Sequence, residues 1–275
     1  MNEPMEVKTH SRSESVEVSV IAPCLNEEAN IQLLVERTLA TFDRSGIAGE
    51  LVLVDDGSTD RTWEEILTCS RRDTRVRGIR HTVNQGMEGA WKSGLHAACG
   101  SLLCLIDADL QNRPEDIAEL YAAYRERKTD IVQAVRHPVE GARRCLAFSR
   151  GLNLLLNLTF GMGMRDSKSG FILTKREVLE RILTHRYRYR YFQCFIGAAA
   201  NVQGYTVAEI DTDFNGRHGG ESFLSRLPIG VSLRALWELI KYRVETLAVT
   251  NARVAHVSDT CPLSAPLAGT TGSES

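Results

Sequence analysis

Short apolar runs alternate with amphipathic helical patterns through the first half of this chain, which predicts an α/β fold with a mainly parallel, Rossmann-like central sheet flanked by helices. The runs VEVSVIAP, ELVLVDD, RVRGIRH, SLLCLIDAD and DIVQAVR are short and mostly apolar, as strands buried on both faces should be. Polar clusters begin where three of these runs stop, at Pro23 to Glu27, Asp55 to Thr59 and Asp107 to Gln111. In such sheets ligands sit beyond the carboxyl ends of the strands.

The helices follow in order. Ile31, Leu34, Val35, Thr38, Leu39 and Phe42 fall on one stripe of a helix after the first strand. TWEEIL opens a second helix behind Asp55 to Asp60. Pro114, Glu115 and Asp116 start another, with proline and acids in a first turn and Ile117, Leu120, Tyr121 and Tyr124 on its apolar face. The alternation breaks after Arg136. LAFSRGLNLLLNLTFGMG predicts an amphipathic or buried helix, and DSKSGFILTK turns at Gly170 toward a strand. TVAEIDTDF reads as a last strand, and Leu233, Leu236, Trp237, Ile240, Val244 and Leu247 as a C-terminal helix. The expected division is a disordered segment over 1–15, a catalytic domain over 16–225, an amphipathic helical segment over 226–252 and a disordered tail over 253–275.

The chain has 275 residues, 33 Lys plus Arg against 35 Asp plus Glu, and a net charge of −2, which excludes a globally basic nucleic-acid binder. Charge is nevertheless segregated, with 15 Lys plus Arg against 6 Asp plus Glu between Arg125 and Arg190. That region suits anions. The longest apolar stretches are interrupted by Asn and Gly, well short of the roughly 18 residues of a membrane span. The polar start does not resemble a secretory signal, and the seven scattered cysteines read as reduced, mostly buried thiols. A cytoplasmic protein, peripheral on a membrane at most, is expected.

Asp107-Ala108-Asp109 places two carboxylates at a strand end, where both can turn toward one hard cation such as Mg²⁺ or Mn²⁺ bridging to a diphosphate. Gln111 adds a neutral oxygen if the alternation continues. A plain turn or helix cap is the competing explanation. Asp55 and Asp56 would repel each other without a partner, so a ligand donating hydrogen bonds, such as a nucleobase N–H, gives one of them a reason to be there.

Taken together, VSVIAPCLNEE, LVLVDDGSTDRT, NQGMEGAWKSGL, LCLIDADLQNRPED, DSKSGF and RHGGES resemble the family 2 glycosyltransferases with the GT-A nucleotide-diphospho-sugar fold, and among them the dolichyl- or polyprenyl-phosphate sugar transferases. The match runs over about residues 16–225, in the family's order. The resemblance implies a nucleoside pocket lined by Pro23, Leu25, Asn26 and Glu27, with Asp56 accepting from the base and Asp55 beside it. It implies that Asn84, Gly86 and Lys92 flank the nucleotide, and that Asp107, Ala108, Asp109 and Gln111 form the metal and diphosphate site. Arg217 matches a donor-phosphate arginine, near Glu221 and Ser222. Arg136, Arg150 and Ser169 match the acceptor-phosphate side, and Asp109, Arg217 and Asp166 form the catalytic set. Phe223, where relatives carry a basic residue, and Ile172, where they often carry a polar one, depart from the pattern.

A hydroxyl acceptor needs a general base, usually a carboxylate. Arg181 to Ala208 contain no Asp or Glu, while Arg181, Arg186, Arg188 and Arg190 crowd the same stretch. A lipid phosphate is already an anion and fits guanidinium groups. The expected reaction is therefore inverting, metal-dependent transfer of a hexose from GDP-mannose or a UDP-sugar to a polyprenyl or dolichyl phosphate. Asp166 and His185 are the residues that would serve a hydroxyl acceptor instead. A family member using hydroxyl acceptors and an inactive sugar-nucleotide binding module are the alternatives.

Overall fold

Successive residues of the central strands are buried against opposite layers, which is why their sequences show no polar alternation. In the computed structural model, Val18, Val20 and Ala22 of one strand enter one core and Ile21 enters the other; Leu51 and Leu53 of its neighbour part in the same way from Val52 and Val54. The structure describes residues 5–6, 16–136, 143–166, 169–185, 189, 192, 196–213, 237–238 and 240–245, without the side chains of 5–6, 143–150 and 152.

The strands are β1 (Met5–Glu6), β2 (Val18–Cys24), β3 (Gly49–Asp55), β4 (Val76–Arg80), β5 (Leu102–Leu105), β6 (Ile131–Arg136), β7 (Ile172–Lys175) and β8 (Val207–Thr212). They form one sheet in the order β1-β4-β3-β2-β5-β7-β6-β8. β4, β3, β2 and β5 are parallel, β7 is antiparallel to both β5 and β6, and β6 is parallel to β8. The expected strands are all present. β1 lies in the segment expected to lack structure, and pairs antiparallel with the edge strand β4 through Met5 and Arg80.

One layer comprises α1 (Ile31–Ser45), α2 (Thr62–Arg72) and α4 (Asp116–Arg127); the other contains α3 (Gly86–Ala97), α5 (Arg143–Phe160), α6 (Arg176–Ile182) and α7 (Ile196–Val202). The α1 stripe is buried as its spacing predicts, from Ile31 to Phe42. α1 stops at Gly46, whose φ of 62° places it in the left-handed region that closes many helices.

The C-terminal helix is seen at 237–238 and 240–245, where Tyr242 packs 5.9 Å from the Phe160 ring. α5 divides its apolar residues: Leu156 and Phe160 enter the core, whereas Leu154, Leu155 and Leu158 are exposed, as are Trp237, Ile240 and Val244. No helix among the described residues is long and apolar enough to cross a membrane. Cys24, Cys69 and Cys104 are buried free thiols, and burial pushes all three above the ordinary thiol range.

The antiparallel insertion of β7 decides what meets at the site. Because Ile172 pairs with both Leu105 and Gln133, the loop entering β7 lies at the carboxyl ends of β5 and β6. Residues distant in sequence, from Pro23 to Ser169, thereby share one edge.

Candidate active site

Two strand-end loops are stitched together at this edge. Asn26 follows β2 with φ 56°, a conformation that Asn tolerates better than most residues. Its side-chain oxygen accepts from Thr59 N–H at 2.9 Å, and its own N–H donates to Ser58 Oγ at 3.0 Å. Glu27 N–H donates to Thr62 Oγ1 at 2.8 Å, and Glu27 Oε2 accepts from Asn30 at 2.6 Å. Pro23 is half-buried and Leu25 is exposed beside them. The expected first wall of the pocket is thus a braced surface.

Asp55 and Asp56 have protein partners. Asp55 is fully buried; Oδ1 accepts from Ser58 N–H at 2.9 Å, and Arg80 Nε lies 3.2 Å from Oδ2. Its work is to shape the turn. Asp56, 4% exposed, accepts at Oδ1 from His81 Nδ1 at 2.7 Å and from Gln85 N–H at 2.8 Å, and at Oδ2 from Gly86 N–H at 2.8 Å. It caps the amino end of α3 from a neighbouring strand. The repulsion inferred from sequence is therefore offset in part by donors within the protein, while Asp55 Oδ2 is buried without a hydrogen-bond donor. Gly57 has no room for a side chain, because a Cβ would come within 2.8 Å of Asn84 N.

Asn84 and Gly86 lie on the same loop, Gly86 with φ 81°. Lys92 is turned along α3 to Glu88, 2.5 Å away. Glu88 is buried; burial alone would raise its pKa, but hydrogen bonds from His185 and Lys92 outweigh this and hold it below the ordinary carboxylate value. His185 Nε2 lies 3.3 Å from Glu88 Oε1. The stretch lacking carboxylates of its own therefore receives one from α3, which the linear sequence did not reveal.

Beyond β5, Ile106 N–H still donates to Ile21 O, but the strand has ended at Leu105. Leu110 has φ 60°, so alternation does not carry through to Gln111 and cannot by itself put that side chain beside Asp109. Asp109 Oδ1 accepts from Gln111 N–H at 3.1 Å, so the turn explanation holds for one oxygen. Asp109 is 6% exposed and Ala108 is buried, whereas Asp107 and Gln111 are partly exposed. Among the described residues, no three His, Cys, Asp or Glu side chains gather as a closed metal site. Two carboxylates and an amide fit Mg²⁺ or Mn²⁺, which keep waters and substrate oxygens in their shell, better than zinc.

On the β6–β7 side, Arg136 Nε donates to Asp166 Oδ2 at 2.7 Å and Nη2 to Oδ1 at 3.1 Å. Gln133, buried in β6, donates to Asp166 O at 2.8 Å and Ser169 O at 3.0 Å, fixing the loop. Ser169 is 1% exposed and its Oγ accepts from Phe171 N–H, so in this arrangement it helps to form the loop. Arg150 is described only as backbone of α5. Arg217, Glu221, Ser222, Phe223, Arg186, Arg188 and Arg190 lie outside the described residues.

Sequence reasoning missed His81, Gln85 and Ser93, all tied to Asp56 directly or through one bond. The available signal was position, since His81 follows the RVRGIR run as Asp56 follows LVLVD.

The family model described as Glycosyl transferase family 2 matches residues 19–183. The undecaprenyl-phosphate 4-deoxy-4-formamido-L-arabinose transferase of Shewanella sediminis is 35% identical over 206 residues, covering 74% of this chain and 61% of that protein. Its counterpart in Pectobacterium atrosepticum is 32% identical over 214 residues, with 77% and 64% covered. The chain thus spans less than two thirds of the length of these curated relatives. Glucosyl-3-phosphoglycerate synthase from Mycobacterium tuberculosis, solved with Mn²⁺ and UDP-glucose, superposes with a TM-score of 0.61 at 18% identity over 85% of this chain and 84% of that one. The same enzyme with Mg²⁺ and UDP gives 0.59 at 19% identity, covering 74% and 72%.

Proposed function

This chain belongs to glycosyl transferase family 2, with its GT-A fold, and we propose that it moves a sugar from a uridine-diphospho-sugar to a polyprenyl phosphate with inversion at the anomeric carbon. The single observation that carries the reading is the meeting of the Asn26, Asp56, Asp107–Asp109 and Arg136 segments at one end of the sheet. The relatives' names supply the acceptor class, undecaprenyl phosphate.

Leu25 and Asn26 form one wall for the base, and Asp56 presents the carboxylate. Its Oδ1 already accepts two hydrogen bonds and its Oδ2 one. About one acceptor direction remains on Oδ2 if each carboxylate oxygen takes two donors. That suits the single ring N–H of uracil better than guanine, whose adjacent N–H groups call for both oxygens. UDP in the structural neighbours agrees.

Asp107 and Asp109, with Gln111, would hold Mg²⁺ or Mn²⁺, which supplies charge neutralisation for the leaving nucleoside diphosphate. Arg136 contributes positive charge on the acceptor side, where a phosphate oxygen attacks without first losing a proton. Arg217 and Arg150 keep the donor-phosphate and acceptor-phosphate roles proposed for them. The exposed leucines of α5 and the neighbouring Trp237, Ile240 and Val244 give a lipid acceptor an apolar approach and the protein a peripheral membrane contact.

The test is UDP release from a panel of UDP-sugars with Mg²⁺, with and without vesicles carrying undecaprenyl phosphate. The lipid phosphate should stimulate release, and Leu158→Asp should reduce the stimulation without affecting UDP binding. Equal release with and without the lipid would refute the acceptor assignment.

A further inference from the structure

We propose that His81 is a positioning residue for donor recognition, orienting Asp56 toward the nucleobase, and that Ser93 in turn orients His81. This rests on the donor-site reading above, in which Asp56 meets the base.

Three elements converge on the relay. Asp56 follows β3, His81 follows β4 and Ser93 lies within α3. The His81 backbone is an extension of the sheet, its N–H donating to Asp55 O at 2.8 Å. Its ring is almost wholly buried, with Nδ1 2.7 Å from Asp56 Oδ1 and Nε2 2.8 Å from Ser93 Oγ. An ionised carboxylate only accepts, so Nδ1 carries the proton; in the neutral ring Nε2 then accepts from the Ser93 hydroxyl. The two remaining donors to Asp56, Gln85 N–H and Gly86 N–H, belong to one loop that Asp56 itself holds. Without His81, carboxylate and loop can shift together. With it, the carboxylate is fixed from a second, independent element.

The order Asp–His–Ser also serves hydrolases, where the serine opens onto substrate beside free amide donors. Ser93 sits inside α3, where the helical ladder engages the neighbouring amides, so a nucleophile's surroundings are missing.

The experiment titrates UDP and, separately, inorganic pyrophosphate into the full chain with Mg²⁺ by calorimetry, for the unaltered protein and for His81→Leu, His81→Asn and Ser93→Ala. Losing one buried hydrogen bond to a charged group should weaken UDP binding in His81→Leu by about ten-fold or more, with pyrophosphate binding unchanged. His81→Asn keeps a donor near Nδ1 and should recover most of the loss; Ser93→Ala should lose a few-fold. Donor KM should rise while kcat holds. The relay is overturned if folded His81→Leu binds UDP as tightly as the unaltered chain, if UDP and pyrophosphate weaken equally, or if Asn does no better than Leu. Should His81→Leu fail to fold, Ser93→Ala decides: a selective loss for UDP upholds the relay, and unchanged affinity overturns it. An unaltered chain that binds pyrophosphate but no nucleoside diphosphate would refute the donor-site reading itself, and this role with it.

Discussion

Arg136 and Asp166 are clasped at two points, Nε to Oδ2 at 2.7 Å and Nη2 to Oδ1 at 3.1 Å, across the junction of β6 and the loop that enters β7. Each Asp166 oxygen accepts one hydrogen bond from the guanidinium, so the carboxylate is held against Arg136 at both of its oxygens. In the proposed reaction, with an acceptor that arrives ionised, Asp166 serves as an organiser of Arg136.

Asp166→Asn should therefore keep turnover on undecaprenyl phosphate to within about ten-fold, whereas loss of a general base typically costs about 10² to 10⁴-fold. Steady-state rates with lipid phosphate decide between these. A fall of about a hundred-fold or more would contradict the organising role and give Asp166 a direct part in the reaction. Arg136→Met should raise the acceptor KM and leave UDP affinity unchanged.

Asp109→Asn should abolish Mg²⁺-dependent strengthening of UDP binding and nearly all turnover. The amide preserves size and can still accept from Gln111 N–H. Its melting temperature should stay near that of the unaltered chain, because the amide fills the same buried space. Retained activity at saturating metal would contradict its assignment.

Asn26→Ala forces alanine into a φ of 56° and removes the bond to Thr59 N–H. The expected cost is about 2–3 kcal/mol, with roughly 1–2 from the left-handed conformation and about 1 from the bond. Asn26→Gly keeps the conformation and should cost about 1 kcal/mol. Urea denaturation midpoints of the two variants test this order, and equal losses would show that the conformation is not what Asn26 provides.

Burial pushes the Asp116 pKa up to about 6, with Glu119, Asp213 and Glu115 adding to the rise and Arg113 opposing it. The folded chain then binds more protons than the unfolded chain between about pH 4 and 6, so this group's contribution to stability falls as pH rises through that window. Each ten-fold difference in proton affinity between the folded and unfolded chain is worth about 1.4 kcal/mol, so Asp116→Asn should stabilise the protein by about 1–3 kcal/mol near neutral pH. The gain should vanish below about pH 4. Urea denaturation across this range is the measurement, and a pH-independent gain would show that charge is not its source.

The strands, their order of appearance and the helix stripes were legible because burial on both sheet faces leaves an unmistakable apolar pattern. Strand direction was less so: nothing local marks ILTK as antiparallel, yet that reversal brings Asp166 to Arg136. The protein partners of Asp55 and Asp56 were hidden for the same reason. Arg80, His81, Gln85 and Gly86 come from a neighbouring strand and loop, far from the aspartates in sequence. Glu88 reaching His185 is a third contact of this long-range kind.

Following the sugar itself separates a lipid-phosphate acceptor from a hydroxyl acceptor. The full chain is incubated with radiolabelled UDP-sugars, Mg²⁺ and undecaprenyl phosphate, beside parallel reactions with hydroxyl acceptors, and the label is traced into the organic phase. The expected product carries label on the lipid as a glycosyl phosphodiester, released by mild acid, with none on hydroxyl acceptors. Label appearing only on hydroxyl acceptors would rule out a lipid-phosphate acceptor.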